Sequence, residues 1–255
     1  MLKDLSRLEP GKKLYFASDF HLGVPSKEDS LVREKKIVDW LDQIQPETAA
    51  LFLLGDIFDF WFEYKHVIPK GFTRFLGRLA NFTDQGIPVI FFTGNHDMWM
   101  FDFFPSELSI PVYRKPQSIE VDGKRFLIGH GDGLGPGDRS YKLLKRIFAN
   151  HFCQWAFGWL HPNLGMPLAH SWSRNSRINN QHHKSIPADK DKLLLYCKKK
   201  ESQKHRDYYI FGHSHEPVEF DISQSSRYIN IGEWVNYFTY AVFDGSDLLL
   251  KTYKG

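Results

Sequence analysis

Ser18-Asp-Phe-His-Leu-Gly23 (SDFHLG) lies at the end of an apolar run, residues 12–18, that predicts a β-strand. Asp19 and His21 alternate with Phe20, so a strand that continues into this turn directs a carboxylate and an imidazole to the same side. Two such groups form half of a metal site. We therefore expect the rest of the chain to supply further ligands at comparable positions.

Four other short segments carry oxygen or imidazole donors, and each follows a predicted strand. They are Gly55-Asp-Ile-Phe-Asp59, Gly94-Asn-His-Asp97, Gly129-His-Gly-Asp132 and Gly212-His-Ser-His215. Because α/β folds bind ligands where strands end, we expect all five loops to meet at one edge of a sheet. Taken singly, GNHD or GHSH is equally consistent with a structural turn.

The donor types indicate the chemistry of the predicted site. Oxygen and nitrogen donors without thiolate favour Mn, Fe, Mg, Co or Zn, and one carboxylate can bridge two such ions. A pair of neighbouring divalent ions polarises both the attacking and the leaving oxygen of a phosphoryl group. The five loops together predict hydrolysis of a phosphate ester or anhydride.

The composition predicts a folded protein that does not span a membrane. A chain of 255 residues with 42% hydrophobic residues suits one large domain, or one domain with an insertion. The sequence has neither the apolar stretch of a signal peptide nor one long enough to cross a bilayer, which predicts a cytoplasmic location. Cys153 and Cys197 lie outside any CxxC motif, so we expect ordinary reduced thiols.

Strands and helices alternate in the first half of the chain, as in an α/β fold. The apolar patterns predict helices at 31–44 and 71–82 and strands at 12–18, 48–54 and 88–92. Asp122-Gly123 predicts a hairpin within 118–128. Further strands are predicted at 208–211, 227–232, 239–244 and 248–253.

The segment 133–205 interrupts this alternation and predicts a helical insertion. Asp138 is the expected N-cap of its first helix, Pro162 and Pro167 are expected breaks, and Ser185 is the expected cap of its last helix. An aromatic stripe at helical spacing follows Asp138, and periodicity alone favours a core role over a ligand-binding role for it. The stripe includes Phe148, Phe152, Trp155 and Trp159.

Basic residues are concentrated between residues 171 and 206. Such a run is consistent with a solvated helix face, and equally with a surface for phosphates or anionic lipid. The sequence lacks a basic stripe interleaved with stacking aromatics, so we expect no nucleic-acid partner.

The motifs DxH, GDxxD, GNHD, GHxD and GHxH, in this order, resemble those of the calcineurin-like metallophosphoesterase superfamily over residues 12–253. The resemblance implies an α/β fold built as an αββα sandwich with a helical lid. The core is then formed by residues 1–132 and 206–255, and the lid by residues 133–205.

The resemblance also implies the roles of single residues. One metal ion is held by Asp19, His21, Asp56 and His215, and the other by Asp56, Asn95, His130 and His213. His96 faces the scissile phosphate and Asp97 orients the His96 ring. The implied role of Asp59 is left open between touching an ion and orienting a neighbour.

The insertion resembles the lid of the bacterial UDP-2,3-diacylglucosamine pyrophosphatases of lipid A synthesis. The similar positions are His130-Gly-Asp-Gly-Leu134, Asp138, Tyr141, Arg146 and Ser173-Arg-Asn-Ser176. This resemblance implies two Mn ions, cleavage to UMP and 2,3-diacylglucosamine 1-phosphate, and peripheral association with the inner membrane of a Gram-negative-type bacterium. The implied substrate contacts are Asn95, His96, Asp138, Tyr141, Arg174, Asn175 and Ser176, with the aromatic stripe around the acyl chains.

One position departs from that family, because typical members carry Arg where this chain has His96. The departure concerns the substrate and leaves two alternatives beside the lipid-linked sugar nucleotide. One is a phosphodiesterase that acts on nucleotides or other phosphate diesters. The other is a non-catalytic scaffold that keeps the phosphoesterase fold.

Overall fold

The computed structural model describes residues 5–180 and 191–255, apart from the side chains of residues 172 and 174–180. The described residues form eleven strands and seven α-helices. Their order is β1 (Lys13–Ala17), α1 (Lys27–Ile44), β2 (Thr48–Leu53), α2 (Thr73–Asp84), β3 (Val89–Phe92), α3 (Phe103–Leu108), β4 (Val112–Tyr113), β5 (Gln117–Val121), β6 (Lys124–Ile128), α4 (Arg139–Phe148), α5 (His151–Gly158), α6 (Pro162–Asn180), α7 (Lys192–Glu201), β7 (Tyr208–Phe211), β8 (Pro217–Ser223), β9 (Ser226–Ile231), β10 (Thr239–Phe243) and β11 (Leu248–Thr252).

The strands form two sheets. The first has the order β11-β10-β1-β2-β3-β4 and the second has the order β5-β6-β7-β9-β8. Strands β1 to β4 are parallel to one another, and so are β6, β7 and β9. The strands that precede the five donor loops therefore end at one side of each sheet.

Alternation along β1 shows how the layers are built. Leu14 and Phe16 point between the two sheets, whereas Tyr15 and Ala17 point to the helices on the outer face. Phe16 contacts Phe126 of the second sheet, with ring centroids 6.3 Å apart. Removing a fully buried Phe of this kind costs about 3–5 kcal/mol of folding free energy.

Helices cover the outer face of each sheet, which confirms the αββα sandwich. Helices α1, α2 and α3 pack on the first sheet. Helix α7 packs on the second sheet through Leu193, Leu194 and Cys197. Among the helices described within residues 133–180 and 191–205 of the predicted insertion, α4, α5 and α6 therefore lie beside the donor loops, whereas α7 belongs to an outer layer.

The structure corrects the expectation of a single sheet edge and adds elements that were not predicted. The donor loops follow strands of both sheets, so they do not line one edge of a single sheet as the strand pattern suggested. Strand β8 was missed because it starts at Pro217 and its side chains are half-buried or exposed, without a continuous apolar run. Strand β4 and helix α3 were also not predicted.

The helices of the insertion begin and end elsewhere than predicted. The side chain of Asn150 accepts hydrogen bonds from Phe152 N and Cys153 N, so a new helix begins there and the aromatic stripe is divided between α4 and α5. Helix α6 begins at Pro162 and continues through Pro167. Asp191 caps α7, and Ser185 lies outside the described residues.

Asp138 precedes α4, but its side chain does not cap the helix. Its backbone is in the left-handed region (φ 50°), and its carboxylate lies 2.6 Å from Lys192 Nζ. Among the described helices, none is long and apolar enough to cross a membrane.

Candidate metal centre

Backbone N–H groups of the donor loops donate hydrogen bonds to neighbouring donor loops. Asp19 N donates to Gly55 O and His21 N donates to Asp56 O, each at 3.0 Å. Gly212 N donates to His130 O at 2.9 Å in the second sheet. His213 N donates to Asp19 Oδ2 at 3.0 Å, which joins the two sheets. Hydrogen bonds from main-chain N–H groups therefore fix the positions of these loops, and their formation requires no metal ion.

Two glycines of the motifs are required by close packing against carboxylates. A Cβ atom on Gly94 would overlap the carboxylate of Asp56. A Cβ atom on Gly212 would overlap the carboxylate of Asp19. The glycine that precedes Asn95 and the one that precedes His213 thus leave room for the acidic groups of neighbouring loops.

The first group of donors consists of Asp19, His21, Asp56 and His215, whose donor atoms all lie within 4.8 Å of one another. His21 Nε2 lies 3.2 Å from His215 Nε2, and the latter lies 3.2 Å from Asp19 Oδ1. Two ring nitrogens at this distance can share at most one proton, so at least one lone pair points into the group. A divalent cation fits such a donor set.

The second group consists of Asp56, His130 and His213, again within 4.8 Å. His130 Nε2 lies 3.3 Å from Asp56 Oδ2 and 3.4 Å from Asn95 Oδ1. His130 Nδ1 lies 2.7 Å from Leu54 O, so it is assigned as the protonated nitrogen and Nε2 faces the group. Asp56 belongs to both groups, and they coincide with the two expected ligand sets, with Asn95 at the edge of the second.

The ionisation states of Asp19, His21 and His213 suit metal ligands. Burial raises the pKa of Asp19, but the contact with His215 and the charge of His130 outweigh it and lower the pKa to about 2. Burial and the neighbouring His130 lower the pKa of His213 to about 4. Burial also lowers the pKa of His21 well below its usual value. An ionised carboxylate and neutral imidazoles are the forms that coordinate a metal.

The negative charges of the acidic side chains affect the pKa of His130. Burial lowers the pKa of this residue, but the charge and hydrogen bond of Asp56 together with the charges of Asp19 and Asp132 outweigh burial and raise the pKa to about 10. The same charge arrangement attracts cations.

Five of the expected ligands have strained backbones. Asp19, His21, Asp56, His213 and His215 all lie in the left-handed region, with φ between 45° and 71°. Such conformations cost of the order of 1–3 kcal/mol each and persist only where the surroundings hold them. Strain at five clustered residues in three of the loops is typical of a functional site and not of ordinary turns.

Arg33 is one of the groups that hold this strained backbone. Its Nη2 donates a hydrogen bond of 2.6 Å to His21 O. Arg33 is buried on α1, so a helix of the outer layer fixes a loop of the site.

His96 lies beside the first group of donors. Its backbone N donates to Asp56 Oδ1 at 2.8 Å, and its ring centroid is 5.1 Å from that of His21. Ring nitrogen Nδ1 lies 3.0 Å from both Asp59 O and Ser173 Oγ. His96 therefore occupies the place expected for a group that faces the substrate.

The expected role of Asp97 as the residue that orients the His96 ring is wrong. Its Oδ1 accepts from Gly94 N at 2.7 Å and its Oδ2 accepts from Ile57 N at 2.8 Å. Burial, followed by the charge of Asp56, raises the pKa of Asp97 to about 7. Asp97 thus joins two loops, and the groups that contact His96 Nδ1 are the main-chain carbonyl of Asp59 and the hydroxyl of Ser173.

Asp59 forms a third group with His21 and His96, whose donor atoms also lie within 4.8 Å of one another. Its Oδ1 lies 3.9 Å from His21 Nδ1 and 3.8 Å from His96 Nδ1. Both roles left open for Asp59, touching an ion and orienting a neighbour, are compatible with this geometry.

Tyr141 contacts the donor loop that carries His130, whereas Asp138 is paired with Lys192. Tyr141 Oη donates to Asp132 Oδ2 at 2.7 Å, and Lys145 Nζ lies 2.5 Å from the same oxygen. Burial raises the pKa of Asp132, but the charge and hydrogen bond of Lys145 together with the charges of His130 and His213 outweigh it and lower the pKa. The carboxylate of Asp138 is paired with Lys192 on the surface. Arg174, Asn175 and Ser176 belong to α6, and their side chains lie outside the described residues.

Sequence reasoning missed Asp132, Lys145 and Ser173 as parts of this arrangement. Asp132 stands in GHGD and Ser173 stands in SRNS, so both were within motifs that had been singled out. Tyr141 and Lys145, the partners of Asp132, follow it by 9 and 13 residues, whereas Ser173 is 77 residues from His96. No spacing pattern reports such a contact.

The aromatic stripe has one face on the core and one face in solvent. Phe157 packs on Phe62 and Trp99, with ring centroids 4.7 and 4.8 Å apart. Phe152, Trp155 and Trp159 are 71%, 59% and 75% exposed, so the core role favoured by periodicity is wrong for these three. Exposed aromatic patches of this kind mark sites of interaction.

Comparisons with known proteins agree with this geometry. Residues 12–217 match the family described as calcineurin-like phosphoesterase. A Porphyromonas gingivalis protein named UDP-2,3-diacylglucosamine hydrolase is 36% identical over 94% of this chain and 97% of its own length. Proteins of the same name from Aeromonas hydrophila and Shewanella sp. (strain ANA-3) are 28% and 25% identical, over 86% and 91% of this chain and 89% and 95% of their own lengths.

Proposed function

This chain belongs to the calcineurin-like phosphoesterase family, and from that premise we propose that it hydrolyses UDP-2,3-diacylglucosamine to UMP and 2,3-diacylglucosamine 1-phosphate. The family match and the hydrolase-named relatives together make the protein a metal-dependent hydrolase, and the carboxylate and imidazole donor groups argue against the scaffold alternative. The observation that carries the proposal is the pair of donor groups that share Asp56, next to a lid with an exposed aromatic face. Relatives that match most of the chain are named for this substrate.

The proposed cofactors are two divalent ions, with manganese as the proposed metal. Asp19, His21, Asp56 and His215 would hold one ion, and the other would be held by Asp56, Asn95, His130 and His213. When bound, the ions supply Lewis-acid stabilisation of the pyrophosphate oxygens and an activated water.

His96 acts directly on the substrate in this proposal. Because Nδ1 is engaged by Asp59 O and Ser173 Oγ, the other ring nitrogen, Nε2, is left to contact the scissile phosphate or to protonate the leaving oxygen. Asp97 serves this step indirectly, since it holds Gly94 and Ile57 in place.

The lid serves recognition in this proposal. We assign the sugar and phosphate contacts to five residues of the proposed insertion, which spans residues 133–205. They are Asp138, Tyr141, Arg174, Asn175 and Ser176. The exposed aromatic residues of α5 meet the acyl chains, which reside in a membrane until the enzyme binds them.

We therefore propose that the protein binds peripherally to the cytoplasmic face of the inner membrane, without a membrane-spanning segment. Arg146, exposed at the end of α4, and the basic residues of α7 add attraction to anionic lipid. No nucleic-acid partner is proposed.

Product analysis by mass spectrometry tests the proposed reaction. Purified protein with Mn²⁺ is expected to release UMP and 2,3-diacylglucosamine 1-phosphate in equal amounts from UDP-2,3-diacylglucosamine. The variant His96→Ala is expected to lose about 10²-fold or more in rate, as is typical when a general acid is removed.

A second candidate is favoured by His96, which stands where typical lipid-substrate enzymes carry Arg. It is a phosphodiesterase for nucleotides or simple diesters. Rapid hydrolysis of bis(p-nitrophenyl) phosphate together with no UMP release from the lipid substrate would establish this candidate in place of the first.

A further inference from the structure

Ser173 is the lid residue nearest to the proposed catalytic ring. It lies on α6 and is 5% exposed. Its Oγ is 3.0 Å from His96 Nδ1 and donates a 3.0 Å hydrogen bond to Asp59 Oδ2. A serine hydroxyl that donates to a carboxylate keeps its lone pairs for an N–H donor, so it can accept from protonated His96 Nδ1.

The position of Ser173 is set by packing between α6 and the core. The ring of His170, one helical turn before Ser173, lies edge-on to Phe60 with centroids 5.8 Å apart. Gly165 approaches Tyr64 so closely that a Cβ atom there would lie 2.6 Å from the Tyr64 hydroxyl. The helix that carries Ser173 is therefore fitted against the segment that follows Asp59.

We propose that Ser173 is a positioning residue that fixes the His96 ring, so that the lid completes the hydrolytic site as well as binding the substrate. The proposal rests on the role given to His96 above. Asp59 O and Ser173 Oγ together hold Nδ1, and Ser173 ties Asp59 to the same arrangement. Without the hydroxyl, the ring keeps one of these two contacts and rotates more freely about its side-chain bonds.

This proposal divides the lid residues into two kinds. A residue that only contacts the acyl chains affects lipid-linked substrates alone. A residue that fixes His96 affects every substrate, including one without a lipid, and changes kcat more than KM because the ring acts in the transition state.

Steady-state kinetics of Ser173→Ala, with UDP-2,3-diacylglucosamine and with bis(p-nitrophenyl) phosphate, test the proposal. Misplacement of a catalytic group by about 1 Å can cost about 10²-fold, and a loosened ring is displaced less than this, so kcat is expected to fall at least about tenfold on both substrates with KM nearly unchanged. Ser173→Thr keeps the hydroxyl and is expected to retain most of the activity. The matched control is Ser171→Ala, an exposed serine on the same helix, which is expected to behave as wild type.

A double variant separates positioning from a general structural effect. If Ser173 acts through His96, adding Ser173→Ala to His96→Ala lowers kcat no further. An additive loss in the double variant, wild-type kcat in Ser173→Ala, or a loss confined to the lipid substrate would each overturn the proposal. If wild type cleaves only the diester, the proposed substrate fails, while the diester data still decide the role of Ser173.

Discussion

The strand-end loops and the lid helices present opposite kinds of surface. The loops carry buried carboxylates and imidazoles on strained backbones, and main-chain hydrogen bonds hold them together. The lid presents Phe152, Trp155 and Trp159 to solvent. Loops of the first kind suit one reaction with fixed geometry, whereas an exposed aromatic surface suits selection of a large apolar ligand. The reaction and the choice of substrate thus belong to different parts of the molecule.

The two regions meet at polar contacts as well as aromatic ones. Tyr141 and Lys145 of α4 contact the buried Asp132, which follows His130 by two residues. Ser173 of α6 contacts His96 and Asp59. The division of labour is therefore incomplete, because the lid also supports the loops.

The largest effect is expected at the carboxylate shared by both donor groups. Asp56→Asn removes the charge common to the two proposed ions, so activity is expected to fall by about 10³-fold or more and the bound metal is expected to fall below that of wild type. Turnover and elemental analysis measure the two quantities. The control is Asp84→Asn, which changes an exposed carboxylate at the end of α2. Wild-type metal content in Asp56→Asn would contradict the shared site.

The next effect is expected on membrane binding. Trp155→Ala/Trp159→Ala removes two exposed rings that we assign to the lipid surface, and partitioning onto anionic vesicles is expected to weaken at least about tenfold. Vesicle flotation measures the bound fraction. The control is Tyr237→Ala, which truncates an exposed aromatic residue outside the lid and is expected to leave vesicle binding unchanged. Equal losses in both variants would mean that binding does not depend on the lid face.

A smaller effect is expected on stability where lid and loops meet. Asp132→Asn leaves Lys145 without its buried anion, and the free energy of unfolding is expected to fall by about 1–2 kcal/mol in urea denaturation. The pKa of Asp132 is lowered in the folded protein, so its contribution is full above its ordinary pKa of about 4. The contribution is lost as the pH falls through the lowered value, and the difference from wild type should shrink there. A difference that grows toward acid pH would contradict the pairing.

The smallest effect is expected at the surface pair between Lys192 and Asp138. Both side chains are largely exposed, and such pairs contribute about 0–1 kcal/mol. Lys192→Met is therefore expected to change the unfolding free energy less than Asp132→Asn does under the same conditions. A larger loss of unfolding free energy in Lys192→Met would contradict this order, because the exposed Lys192–Asp138 pair would then stabilise the protein more than the pair of Lys145 with buried Asp132.

Much of the fold and the donor groups could be predicted from the sequence, because both depend on local pattern. The apolar run at residues 12–18 predicted a strand, which is buried on both faces in the structure, and strand-end motifs predicted which donors converge. The partners of His96 could not be predicted, since Ser173 is 77 residues away along the chain and a hydroxyl carries no periodic signal. The exposure of Trp155 and Trp159 was also beyond reach, because periodicity shows that residues share a face but not what covers that face.

The most direct test of the division between loops and lid compares kcat/KM for two substrates in wild type and in Trp155→Ala/Trp159→Ala. For UDP-2,3-diacylglucosamine, kcat/KM is expected to fall at least about tenfold, since apolar contact with the acyl chains is lost. For bis(p-nitrophenyl) phosphate it is expected to stay within about twofold of wild type, because uniform binding to the lid plays no part in that reaction. Equal losses on both substrates, or no loss on the lipid substrate, would contradict the assignment of substrate choice to the lid.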